Sequence, residues 1–148
     1  MKKIFVLLLT VVMVLTITAC GSNETEKQLT NKAEYENSVL ELGEATIFTS
    51  ENGDKVAKVE ATYTNNDAES LYALSAFAVR AFQNDKELAD ASDINGDEAS
   101  LIQEVKDGRS ISVTYVFVLD DDSPVEVLIG EPTADQTTIG KKLYFEEN

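Results

Sequence analysis

A chain of 148 residues, 43% of them hydrophobic, has room for one ordinary domain and a short extension, and is too short for the two lobes of a transporter's substrate-binding protein. A formal net charge of -15 with only scattered cations (Lys55, Lys58, Arg80, Lys106, Arg109) sets nucleic acid aside as a partner, because phosphate backbones are bound through clustered Lys and Arg. One cysteine and no histidine remove the disulfide-stapled scaffold, the usual zinc set and the Ser-His or Cys-His nucleophile.

The chain opens with Lys2 and Lys3, runs without charge from Ile4 to Thr18, and reaches the small Ala19 just before Cys20. A positive start, an apolar run and a small residue before cysteine form the processing site of a lipid-modified precursor. A spanning helix is the first rival, but it needs about 20 apolar residues and this run stops short. An ordinary secretory peptide is the second, and it would leave a lone extracellular thiol. The expectation is therefore a signal peptide over 1–19 and a diacylglyceryl thioether on Cys20, with further acylation such as palmitate. Two or three acyl chains, at about 0.8 kcal/mol per buried methylene, hold firmly where one would not. The mature protein would be anchored to the cell membrane and face the exterior.

From Cys20 to Asn37 the sequence is polar and lacks apolar periodicity, so 20–37 is expected to be a tether and 38–148 the domain. Val59, Ala61 and Tyr63 alternate with Lys58, Glu60 and Thr62, the pattern of a half-buried strand, with Val39 to Phe48 as its partner across the Glu51-Asn52-Gly53-Asp54 turn. Ser70 to Leu88 fits two periods: Leu71, Leu74, Ala78 and Phe82 have helical spacing, whereas Phe77, Val79 and Ala81 alternate as in a strand. The all-β surroundings favour strand. Ser110 to Leu119 places Ile111, Val113, Tyr115, Phe117 and Leu119 on one face, and Val116 with Val118 makes the other face apolar too, so this strand is expected to be central and covered on both sides. Asp107-Gly108 turns the chain into it and Asp120 to Pro124 turns it out; Val125 to Ile129 and Lys142 to Phe145 add two short strands. The sum is an all-β antiparallel sandwich.

Four stretches carry a resemblance. Val56 to Asn66 resembles a family strand ending in Thr-Asn-Asn, and Ala81 to Leu88 resembles its aromatic-Gln-Asn-Gly hairpin, with Asp85 in place of the glycine. Lys106 to Ser110 resembles the Pro-Gly-Lys turn before a long strand, with Asp107 in place of the proline, and Tyr115 to Asp121 resembles that strand and its Leu-Asp exit. The family is that of Gram-positive lipoproteins with an immunoglobulin-like domain of unknown function, related to the immunoprotective extracellular protein superfamily. The resemblance spans about Val39 to Gly130 and implies an immunoglobulin-like sandwich. Its motifs specify turns and strands and carry no chemistry.

Acidic loops are where a hard cation would be sought: Asp93, Asn95 and Asp97 in one, Asp120, Asp121 and Asp122 in another. Setting Gly96 at the sixth position of a calcium loop puts Ala91 at the first and Ile102 at the twelfth, where carboxylates belong, so no metal site is assigned and weak millimolar binding is the most these residues offer. Tyr35, Tyr72 and Tyr144 are candidate exposed aromatic anchors, Tyr63, Phe77, Tyr115 and Phe117 are expected in the core, and Arg80 is expected to meet a carboxylate at a sheet edge. No cofactor and no catalytic residue are expected. The reading is a non-enzymatic surface module binding a protein, peptide or glycan; the alternatives are an envelope cation-binding or stress-buffering protein and a hydrolase using carboxylates alone.

Overall fold

The computed structural model describes residues 28–92 and 98–146. The leader, Cys20, Asp93, Asn95 and Asp97 lie outside the described residues. Among the described residues, eight strands form two four-stranded antiparallel sheets. The first has the order β1 (Lys32–Tyr35), β2 (Ser38–Thr49), β3 (Lys55–Asn65) and β6 (Arg109–Val118); the second has β5 (Lys86–Glu87), β4 (Ala78–Gln83), β7 (Val125–Gly130) and β8 (Thr138–Tyr144). Two single-turn helices, α1 (Ala73–Ala76) and α2 (Glu98–Leu101), sit in the connections. The expected β-sandwich is the fold.

Period two explains the core. Val59, Ala61 and Tyr63 of β3 and Val113, Tyr115 and Phe117 of β6 point inward, and Ala81, Val125, Val127 and Ile129 meet them from the other sheet. Tyr63 and Phe77 join the layers edge to face, with ring centroids 6.3 Å apart and planes at 78°. Lys55 to Asn65 is paired along its length with both β2 and β6, so β3 is the strand the first sheet is built around.

Four expectations are corrected. The tether does not extend to Asn37: Lys32–Tyr35 is a strand whose Ala33 is buried, paired with β2 through Tyr35↔Ser38. One small apolar residue on an edge strand gives almost no periodic signal, so the stretch reads as polar. Ser110 to Leu119 is not central, since β6 pairs only with β3 among the strands; its outer face and free edge are covered by residues 89–92, with Val116 packed on Val56 and Ala91. The segment 70–88 divides: one helical turn at Ala73–Ala76, then strand from Ala78, so each of the two competing periods holds for part of it. Tyr144 is buried, its hydroxyl donating to the Gly43 carbonyl at 3.0 Å; Tyr35 is half-buried, and only Tyr72 of the three is exposed, at 40%.

The two ends of the sandwich differ. At the β1/β8 side the seam is shut: Lys141 N donates to Thr30 O at 2.7 Å, and a Cβ at Gly140 would sit 3.1 Å from Ala33 Cβ, Ile129 Cδ1 and Thr30 O. Gly140→Val is expected to cost about 1–3 kcal/mol through overpacking, read as a lower urea midpoint; an unchanged midpoint would show that this seam can open without loss.

Burial raises the hydroxyl pKa of Tyr63, Tyr115 and Tyr144, in each case chiefly through desolvation of the phenolate. A folded-state pKa above the unfolded value means the stability these groups contribute is complete below pH 10 and is lost as pH rises beyond it. The domain is therefore expected to hold a constant thermal midpoint from pH 7 to 9 and to unfold in base above about pH 10; in a Tyr35→Phe/Tyr72→Phe background, which leaves the three buried phenols, the rise in tyrosinate absorbance at 295 nm should coincide with loss of the β signal in circular dichroism. Tyrosinate forming well before unfolding would contradict it.

Candidate functional site

The acidic turn Asp120-Asp121-Asp122 is built as a loop pin. Gln83, 2% exposed at the end of β4, donates through Nε2 to Ser123 O (2.8 Å) and Asp121 O (3.2 Å) and accepts at Oε1 from Asp120 N (2.9 Å). The three carboxylates diverge: Asp120 pairs with Lys86 at 2.7 Å, Asp122 pairs with Lys55, and Asp121 accepts from Asn84 Nδ2 (3.0 Å) and the Ser123 backbone N (2.8 Å). Hydrogen bonds from Ser123, first its side chain and then its backbone, hold the Asp121 carboxyl below the usual range. The structure thus spreads Asp120, Asp121 and Asp122 over three separate partners, and among the described residues no group of three potential metal ligands converges.

Asn84 and Asp85, with φ of 48° and 62°, make the two-residue turn between β4 and β5. Both central residues of such a turn take positive φ, which Asn and Asp tolerate better than most side chains. The hairpin register runs Gln83↔Lys86, Phe82↔Glu87, and Leu88 N donates to Ala81 O at 2.8 Å. Two more residues in this register would set Val79 opposite Asp90. The hairpin forks instead: residues 89–91 cross to the other sheet, where Ala91 N donates to Val116 O (2.7 Å), Val118 N donates to Ala89 O (2.9 Å), and Asp90 lies opposite Phe117.

The fork opens a groove of about 470 Å³, within the size range of small-ligand sites. Val79 and Asp90 stand on its two walls, Leu74 on its rim at 51% exposure, and Tyr115 at its floor. Backbone groups alternate direction along an antiparallel strand. Ala81 O faces the fork, so Val79 N–H and C=O face it too, pointing away from β7. The bonds at Ala89 and Ala91 point toward β6, so those of Asp90 point away from it, into the fork. The Tyr115 hydroxyl, fully shielded, has no hydrogen-bond partner among the described residues. Asp90 Oδ1 accepts Ser92 N at 2.8 Å and thereby holds the crossing strand. Arg80 also lines the groove; in place of the expected carboxylate its guanidinium lies over the Phe82 ring, 5.5 Å from the centroid.

Of the residues singled out in the sequence, the structure brings Phe77, Arg80 and Tyr115 to one groove and leaves the acidic turn elsewhere. Val79, Asp90 and Leu74 were not anticipated. The signal was present in the tyrosine at 115, a polar tip at a core position, and in a hairpin register that would have paired residue 79 with residue 90.

The family model described as a domain of unknown function, DUF5067, matches residues 19–129. Among curated proteins no sequence matches the chain. Of solved structures, one from Staphylococcus aureus, called a "putative lipoprotein" as is the next, is 12% identical with a TM-score of 0.59 over 77% of this chain and 87% of its own. The YcdA protein of Bacillus subtilis is 12% identical with a TM-score of 0.57, over 78% of this chain and 39% of its own length. A protein from Enterococcus faecalis is 15% identical with a TM-score of 0.54, over 79% and 90%. At these identities the likeness is one of fold. With the family match spanning most of its length, the chain belongs to the DUF5067 family.

Proposed function

We propose that this protein is a non-enzymatic binding module held at the outer face of the cell membrane by lipid on Cys20. The observation that carries the binding role is the forked hairpin, which leaves two strand edges facing one groove with a buried hydroxyl beneath its floor. The anchor is supported by the Lys2-Lys3 start, the uncharged run and the Ala19-Cys20 junction, together with the lipoprotein names of two proteins of similar fold. The sandwich is read as immunoglobulin-like, related to the immunoprotective extracellular superfamily. Absence of histidine supports the non-enzymatic reading, since the commonest general base is missing.

Proximity labelling on intact cells, with the wild-type protein and Cys20→Ala in parallel, tests this. The expected result is one enriched surface protein with the wild type and its loss with Cys20→Ala, which is released to the medium. Equal labelling by both, or retention of the alanine variant in the membrane, would overturn the lipid-anchored module.

A further inference from the structure

We propose that the fork between Val79 and Asp90 is a strand-addition site that takes an extended basic peptide from a protein partner. The inference rests on the binding-module reading and names its site and ligand class. Main-chain hydrogen bonding is what such a site offers: an extended segment presents its N–H and C=O groups alternately to its two sides. One residue of the segment would bond Val79 and the next would bond Asp90, bridging two sheets that part at Leu88.

The floor of the groove points the same way. The Tyr115 hydroxyl is a donor without an acceptor among the described residues and lies shielded beneath the floor, so a small shift of the floor on peptide entry would let a peptide carbonyl reach it. The charge of the occupant follows from its surroundings. The chain carries -15, and the Asp90 carboxylate stands on the groove wall, where among the described residues Ser92 N donates to one of its oxygens. Lys or Arg in the peptide would complement it, while Arg80 at the other wall disfavours a second cation there. Leu74 and Leu101 offer apolar surface to the side chains between.

The test pans the full-length protein, purified from membranes in detergent, against a displayed library of random twelve-residue peptides. The enriched sequence is then synthesised with and without N-methyl groups on alternate backbone nitrogens. Enriched peptides are expected to carry one Lys or Arg within a run of β-branched residues, and N-methylation in one register should weaken binding about tenfold or more. Tyr115→Phe should weaken binding roughly three- to tenfold while raising the thermal midpoint, because it removes a buried hydroxyl that has no partner. A residue important only for packing would not show opposite signs. Val79→Pro removes a donor that faces the groove and none that faces β7, so it should weaken binding and leave the fold intact.

No enrichment, enrichment of acidic peptides, or binding indifferent to N-methylation and to Tyr115→Phe would each overturn the strand-addition site. If those results came while labelling on cells still captured a partner lost with Cys20→Ala, the surface module would stand and the fork would not be its site. Peptide binding with the expected signatures, in a protein whose labelling ignored Cys20, would instead keep the fork as a peptide site and discard the lipid anchor.

Discussion

Asn65→Asp is expected to lower the unfolding free energy by about 3–5 kcal/mol at pH 7, the largest single effect foreseen for a change of one atom. Asn65 is wholly buried at the end of β3. Its Nδ2 donates to Glu69 O and Val105 O, both at 2.7 Å, and its Oδ1 accepts Asp67 N at 2.8 Å. Those bonds fix the start of the connection to α1 and the strand-like pair Leu71↔Val105. A carboxylate would aim an oxygen at two carbonyl oxygens, and its charge would be stripped of water. Its folded pKa would be raised, so stability should be regained as pH falls below that value and lost as pH rises through it. Wild type should lose stability only in stronger acid, as pH falls below about 3.8, because hydrogen bonds from the Glu69 backbone and the Asn37 side chain hold Asp67 below its usual value of 3.8. Urea titrations at pH 7 and pH 4 check this: the variant should gain stability toward pH 4 while the wild type stays nearly level, and parallel behaviour would show that Asn65 does not hold the carbonyls.

Gln83→Glu is expected to cost about 2–4 kcal/mol on the same chemistry at the other end of the sandwich. The amide that now donates to Asp121 O and Ser123 O would become an oxygen, placed beside a turn that already carries Asp120, Asp121 and Asp122. Gln83→Leu, which keeps the volume but strands Asp120 N and two carbonyls, should cost about 1–3 kcal/mol. Thermal melts of both variants decide it. A glutamate no worse than leucine would mean the turn is solvated enough to shelter charge.

Both positions lie in motifs that sequence could flag but not explain. Asn65 falls in Thr64-Asn65-Asn66 and Gln83 in Phe82-Gln83-Asn84, each legible as a turn and neither as a buried clamp, because the groups they satisfy lie as far as 40 residues away. What periodicity could show, it showed: β3 and β6 follow from alternation, β2 from the turn before β3 and β7 from its apolar run, whereas β8 begins at Thr138, four residues before the expected Lys142, and ends at Tyr144. It failed where the signal was short or divided. Ala33 alone marks β1, and one helical turn with a strand behind it mixes two periods over 70–88. The groove was illegible for a further reason. A fork depends on which sheet residues 89–92 join, and only the backbone pairing with Val116 and Val118 decides that.

Whether the groove meets a partner at the cell surface is decided by photocrosslinking on intact cells, with benzoylphenylalanine placed at Leu74 on the groove rim or at Ile47 on β2. Both side chains are exposed, at 51% and 40%, so access does not distinguish them. A lipid-anchored module that binds through the fork should give one protein adduct from position 74 that is absent from position 47 and lost in the Cys20→Ala background. An adduct from position 47 alone, or none from position 74 in the anchored protein, would contradict it.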